Sequence, residues 1–171
     1  MSTAANIGHA GSRKVSVRGP NHLAVPVRDR AEGFRFWQSL LDAKLVVSAD
    51  DDNFTFMVLP DGFYIGLAEL PGNWTQSTLE FPHFGFEVAP EMMEPLRERL
   101  QALGVPTQEI WTRFRIEALM YFRDPSGNLF EAYCSEGYPK VNSIPVGGTY
   151  GGTYKNDLQA LYYDSWNDPG K

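Results

Sequence analysis

The sequence is poor in the residues that do covalent and redox work: it has one cysteine and three histidines in 171 residues. A single thiol excludes an internal disulfide framework. Positive charge is also scarce, with 15 Lys and Arg against 21 Asp and Glu and a net charge of −6, so no broad basic surface is available for nucleic acid or an anionic membrane. No apolar run reaches membrane-spanning length. Residues 1–19 are small and polar; Arg13, Lys14 and Arg18 are not followed by the apolar stretch of a signal peptide, so this segment reads as a mobile arm on a cytoplasmic protein. What remains is ordinary globular material, 43% hydrophobic and 21% charged, enough for one domain or two small fused modules.

The modules show themselves as a repeat. Residues 21–27, NHLAVPV, alternate as a strand, with Pro26 suited to a sheet edge. Asp29 and Glu32 are spaced as a capping box before a helix carrying Phe34, Trp37 and Leu41 on one stripe. Residues 44–49, 53–59 and 63–70 then read as strands. After a polar connector at 72–79 the order returns: a strand at 83–88 (HFGFEV), a helix with Met93, Leu96, Leu100 and Leu103 closed by Gly104, and strands at 107–111, 117–123 and 128–135. His83 follows His22 by 61 residues, and Pro125 and Gly127 follow Pro60 and Gly62 by 65. Under the second offset Glu131 matches Gly66 and Tyr121 matches Phe56. The expected divisions are the arm at 1–19, module one at 20–71, module two at 81–138, and an extension at 139–171. That extension contains GGTYGGTY, read as a hinge, and a Tyr- and Trp-containing segment, read as a flap.

Chemistry concentrates at YFRDPSGNLFEAY, residues 121–133. Pro125 and Gly127 make a tight turn, and the strand after it puts Phe130, Ala132 and Cys134 on one face and Glu131 and Tyr133 on the other. The first face suits the underside of helices, so Cys134 reads as an inert core thiol. A carboxylate in so apolar a run must either face solvent or coordinate something. Two of the three histidines, His22 and His83, occupy matched positions on the same side as Glu131, and two imidazoles with one carboxylate hold a divalent metal with coordination positions left open. His9 has no counterpart in the repeat and reads as a solvated residue. By parity, Phe54, Phe56, Tyr64, Tyr121 and Tyr133 line the same side, and Arg113 and Arg115 could hold an anion.

NHLAVPV, HFGFEV, YFRDPSGNLFEAY and the paired modules resemble the vicinal oxygen chelate superfamily of glyoxalases, fosfomycin-resistance enzymes and type I extradiol dioxygenases, over residues 20–136. The resemblance implies an α+β fold, two βαβββ modules forming a cupped eight-stranded mixed sheet around a divalent metal that binds substrate through neighbouring oxygens. Gly66 stands where glyoxalase I enzymes carry a fourth ligand, which disfavours that activity. Fosfomycin-resistance enzymes share the His, His, Glu triad and a tyrosine ten residues before the glutamate, matched by Tyr121. Their potassium-binding loop and phosphonate-contacting Lys and Ser have no clear counterpart between Trp111 and Leu119. Extradiol dioxygenases share the triad and the tyrosine but usually add histidines that this chain lacks.

The aromatic lining makes an Fe(II) dioxygenase acting on a catechol-like or vicinal-oxygen substrate the first expectation, with His22, His83 and Glu131 as ligands and Tyr121 as hydrogen-bond donor or acid. The alternative is a transferase, lyase or hydrolase of the fosfomycin-resistance or glyoxalase type, using Mn(II) or Zn(II) as a Lewis acid. A third is a binding protein with a vestigial metal. Two modules can close a metal site within one chain or exchange with a partner so that His22 comes from a different chain than His83 and Glu131; relatives of this length often do the latter, so a homodimer is expected.

Overall fold

A computed structural model of the chain describes residues 20–50, 53–70 and 79–171. The arm with His9 and most of the connector at 72–79 lie outside the described residues. Seven strands and two α-helices follow in order: β1 (His22–Val27), α1 (Arg30–Leu41), β2 (Lys44–Ala49), β3 (Phe54–Val58), β4 (Tyr64–Glu69), β5 (Phe84–Glu87), α2 (Met93–Ala102), β6 (Ala118–Arg123) and β7 (Leu129–Cys134).

The strands form two sheets, β1-β4-β3-β2 and β5-β7-β6, so β1 and β5 are both edges. Pro26, which cannot donate to a ladder, lies on such an edge. Register confirms the repeat residue by residue. Gly66 lies between Ala24 and Phe56 in the first sheet, and Glu131 lies between Gly85 and Tyr121 in the second. The offsets read from the sequence thus describe one pairing pattern used twice.

An eighth strand was expected at 107–111. Only isolated bridges form there, Thr107 with Phe122 and Trp111 with Leu119, with a one-residue slip between them. The cause is Gln108. Its side-chain Oε1 accepts from the Tyr121 N–H at 3.2 Å and from Trp111 Nε1 at 3.0 Å, taking the place of a backbone carbonyl and letting the chain bow out of the ladder.

Both helices cover the sides of the sheets that the alternation marked as apolar. Asp29 caps α1 by accepting from the Glu32 N–H at 2.8 Å. Glu32 does not complete the box; its carboxylate takes Trp166 Nε1 and Lys171 Nζ instead. Gly33 lets α1 lie close on β4, where a Cβ would come within 3.0 Å of Leu67. Trp37 then packs edge-on against Phe130 at 4.8 Å and Phe86 at 5.8 Å, so one helix of module one also serves module two. Val25, Ile65, Leu67, Phe36, Met93, Leu100, Phe122, Phe130 and Cys134 belong to that shared core. Gly104, at φ 73°, ends α2 as the sequence indicated.

The second module's turn docks on the first module. The Asp124 carboxylate, fully buried, accepts from the backbone of Ser126 and Asn128, while the Arg28 N–H donates to Ser126 Oγ and Asn128 Nδ2 to the Pro26 carbonyl. Among the described residues no helix is long and apolar enough to cross a membrane.

Candidate metal centre

The open face of the second sheet gathers five polar side chains. Glu131 is 6% exposed on β7, and its neighbour across the ladder is Tyr121 on β6. Its Oε1 accepts from Arg113 Nη2 at 3.0 Å. Its Oε2 faces His83 Nε2 at 3.5 Å. The other ring nitrogen, Nδ1, lies 2.9 Å from the Glu80 carbonyl, which can only accept, so Nδ1 carries a proton and Nε2 is the nitrogen turned to Glu131.

Nε2 of His83 and the Glu131 carboxylate face each other 3.5 Å apart, with the histidine fixed from behind by a backbone carbonyl. This is how a histidine is oriented to ligate a metal, and an ion about 2.0–2.2 Å from each donor would fit between them with a small adjustment. The residues present therefore fit two of the three positions expected of a metal centre.

The third expected ligand is elsewhere. His22 stands at the start of edge strand β1, exposed, with Nδ1 3.2 Å from Asn21 Oδ1 and its ring edge-on to Phe56 at 5.8 Å. Among the described residues of one chain, no three His, Cys, Asp or Glu side chains form a group that could hold a metal. The first-module aromatics cluster with His22: Phe54, Phe56 and Tyr64 stack in a column at 5.8 and 5.3 Å. Phe54 also occupies the space above Gly66, where a Cβ would meet its ring at 2.5 Å, so that position is filled by a phenyl group where Glu131 stands in the other half.

Arg113 was expected as an anion contact and is a central member of the cluster. Its Nη2 reaches Glu131, the Tyr121 hydroxyl at 3.0 Å and Glu80 Oε1 at 3.4 Å. Burial alone would lower its pKa, but the hydrogen bond and charge of Glu131 raise it, so the guanidinium is permanently charged. Its backbone is set by Glu117, a buried carboxylate that accepts the N–H groups of Arg113 at 2.6 Å and Phe114 at 3.1 Å. Arg115 leaves this cluster: it adopts φ 61°, and its Nη1 donates to the Asn142 carbonyl.

Tyr121 donates to Glu80 Oε1 at 2.7 Å and accepts from Arg113. Burial and that bond to Glu80 push its pKa well above the ordinary phenol value. The one proton of its hydroxyl is thus taken by Glu80. Tyr133 lies at the margin of the same face, packed with Leu119, Leu129 and the extension. Glu80 was not foreseen. It lies in a turn with no periodic pattern, and its carboxylate matters only because the fold brings it to Tyr121, 41 residues later.

The extension borders this face. Tyr154, Leu158 and Leu161 pack on Trp111, Leu119, Tyr121 and Leu129. Beyond them Trp166 enters the main core against Phe36 at 5.5 Å, and Asp168 takes Arg35 in a two-pronged ion pair at 2.7 Å for each prong.

Two duplicated halves, the second with only isolated bridges at 107 and 111, each with a histidine at or directly before its edge strand, and one carboxylate on the final strand give this fold its repeated design. The chain belongs to the glyoxalase/bleomycin resistance protein/dioxygenase superfamily, whose family model matches residues 19–132. It is 30% identical over 115 residues to glutathione transferase FosA of Serratia marcescens, covering 66% of this chain and 78% of that one. It is 27% identical over 122 residues to fosfomycin resistance protein FosX of Listeria innocua, covering 68% and 90%. Among solved structures, a FosX of Listeria monocytogenes matches with TM-score 0.61 at 23% identity over 70% of this chain and 94% of its own. A glyoxalase/bleomycin resistance/dioxygenase domain from Frankia sp. EAN1pec matches with TM-score 0.62 at 26% identity over 71% and 100%.

Proposed function

We propose that this protein is a divalent-metal enzyme of the transferase or hydrolase type acting on a small phosphonate-like substrate of the fosfomycin class, without dioxygen. The observation that carries this reading is Arg113, a half-buried permanent cation held against Glu131, whose other carboxylate oxygen faces His83 Nε2. That is the charge arrangement for an oxyanion, and a catechol would not need it. The relatives, a glutathione transferase and a fosfomycin resistance protein, support the same choice over the Fe(II) dioxygenase expected first.

In this reading His83 and Glu131, with His22 of the partner subunit, hold the metal, and the metal supplies Lewis acidity toward a substrate oxygen. Arg113 binds the anionic end. Tyr121 keeps its proton in the hydrogen bond to Glu80 and, with its oxygen accepting from Arg113, fixes the guanidinium in place. Phe54, Phe56 and Tyr64 accompany His22, so the aromatic wall arrives from the other subunit with it. Tyr133 and the extension border the opposite side. Mn(II) is the metal to try first, then Zn(II).

The test is consumption of fosfomycin followed by phosphorus NMR with Mn(II)-loaded protein, in water alone and with glutathione. Consumption in either condition, unaffected by removing oxygen and abolished in Glu131→Gln, is the expected result. No consumption in both, or oxygen uptake with catechols by the Fe(II)-loaded protein above that of Glu131→Ala, would sink it.

A further inference from the structure

The extension is where this chain departs from the relatives it matches. The family model ends at residue 132, and the Listeria monocytogenes and Frankia structures are spent to 94% and 100% of their lengths while covering about 70% of this chain. Residues 146–154 of that extra segment form a compact loop beside the charged cluster.

Glycines give this loop its shape. Gly147 passes under Trp111, where a Cβ would come within 2.6 Å of the indole; Gly152 abuts the Val146 carbonyl; Gly151 turns the chain at φ 84°. The loop is hydrogen-bonded to Thr112 from both sides, the Thr112 N–H to the Pro145 carbonyl and the Gly147 N–H to the Thr112 carbonyl, each at 2.9 Å. Thr112 directly precedes Arg113. The loop's Tyr150 places its ring 5.9 Å from the Arg113 guanidinium carbon, with Trp111 at 5.2 Å from the same atom. Phe114 closes on Tyr150 edge-on at 5.0 Å, and both remain well exposed, so this pair forms an open rim above the cation.

Backbone and ring thus act on one guanidinium. An aromatic face attracts the cation without supplying a formal negative charge, so it can hold Arg113 in place while leaving its charge for a ligand. Glu80 and Glu131, by contrast, neutralise it. Once Glu131 is shared with a metal, the ring contact is the restraint that does not compete with an incoming anion.

We propose that Tyr150, carried by the 146–154 loop of the extension, is a specificity-determining positioning residue that holds Arg113 for the anionic end of the substrate, a phosphate- or phosphonate-like oxyanion. This rests on the reading of Arg113 given above. The experiment is calorimetric titration of the full-length Mn(II)-loaded protein with inorganic phosphate, for wild type, Tyr150→Phe, Tyr150→Leu and Arg113→Met, with Mn(II) affinity and melting temperature measured in parallel.

Tyr150→Leu should weaken phosphate binding roughly two- to five-fold. Tyr150→Phe should stay near wild type because the ring face is kept, and neither should change Mn(II) affinity. Arg113→Met should abolish phosphate binding. Where fosfomycin is consumed, Tyr150→Leu should raise KM and spare kcat. If Arg113→Met loses phosphate but Tyr150→Leu binds it as wild type does, the role of Tyr150 is wrong and the anion site stands. If the loaded wild type takes up no phosphate, or Arg113→Met binds it normally, both readings fall.

Discussion

Arg113 places one fixed positive charge between two carboxylates and a tyrosine, and in the proposed reading it selects for an anionic ligand. Removing the hydroxyl in Tyr121→Phe leaves Glu80 short of a donor and loosens the guanidinium. A hydrogen bond to a charged group contributes about 1.5–3 kcal/mol, so kcat/KM for fosfomycin should fall by about 10- to 100-fold. An unchanged value would remove Tyr121 from the site.

Asp124 provides a residue-scale test of pH dependence. Burial holds its pKa at about 6 despite donors from Ser126 and Asn128. A raised folded-state pKa means this group's stabilisation is fully present below the unfolded value of about 4 and is lost as pH rises through about 6. The loss is of order 3 kcal/mol. Urea melts of the wild type should show this decline between about pH 4 and 7, and Asp124→Asn should flatten it; parallel curves for both proteins would refute the assignment.

At the level of elements, the extension is held at both ends. Its first part rides on the bowed segment 107–112, and its last part is fixed by the ion pair of its Asp168 with Arg35 on α1. The Arg35 hydrogen bonds bring the Asp168 pKa down to about 2. Here the sign is opposite to that of Asp124: the stabilisation is present above about 4 and is lost as pH falls toward 2. Asp168→Asn should therefore lower the melting temperature at neutral pH and converge with wild type near pH 2, read by circular dichroism. Gly152→Ala would drive a methyl group into the Val146 carbonyl and should also destabilise the loop.

The strand pattern of these elements was legible because apolar and polar residues alternate faithfully, and the helix stripes were legible for the same reason at a longer period. Segment 107–111, TQEIW, misled because only its place in the repeat, and no alternation of its own, marks it as a strand. Only the reach of the Gln108 side chain to Tyr121 shows that the ladder is broken there.

At the scale of the whole molecule, the two histidine-bearing edges lie in different sheets, and one chain does not assemble a three-ligand centre from its described residues. A shared site predicts complementation. His22→Ala and Glu131→Ala should each be inactive alone, and after co-expression about a quarter of wild-type activity should return, since half the dimers are mixed and one site in each is intact. Light scattering should give a dimer. A monomer, or no recovery on mixing, would rule out the exchange.

The sequence by itself determined the duplication, the faces of the strands and the placing of His83 and Glu131 on one side, because periodicity and residue type are local properties that survive without coordinates. Tertiary structure alone decided that His22 stands apart from them, that Arg113 and Glu80 join Glu131, and that the extension closes over that neighbourhood. Those relations depend on how sheets and loops far apart in the chain are brought together, and residue spacing does not encode such distances.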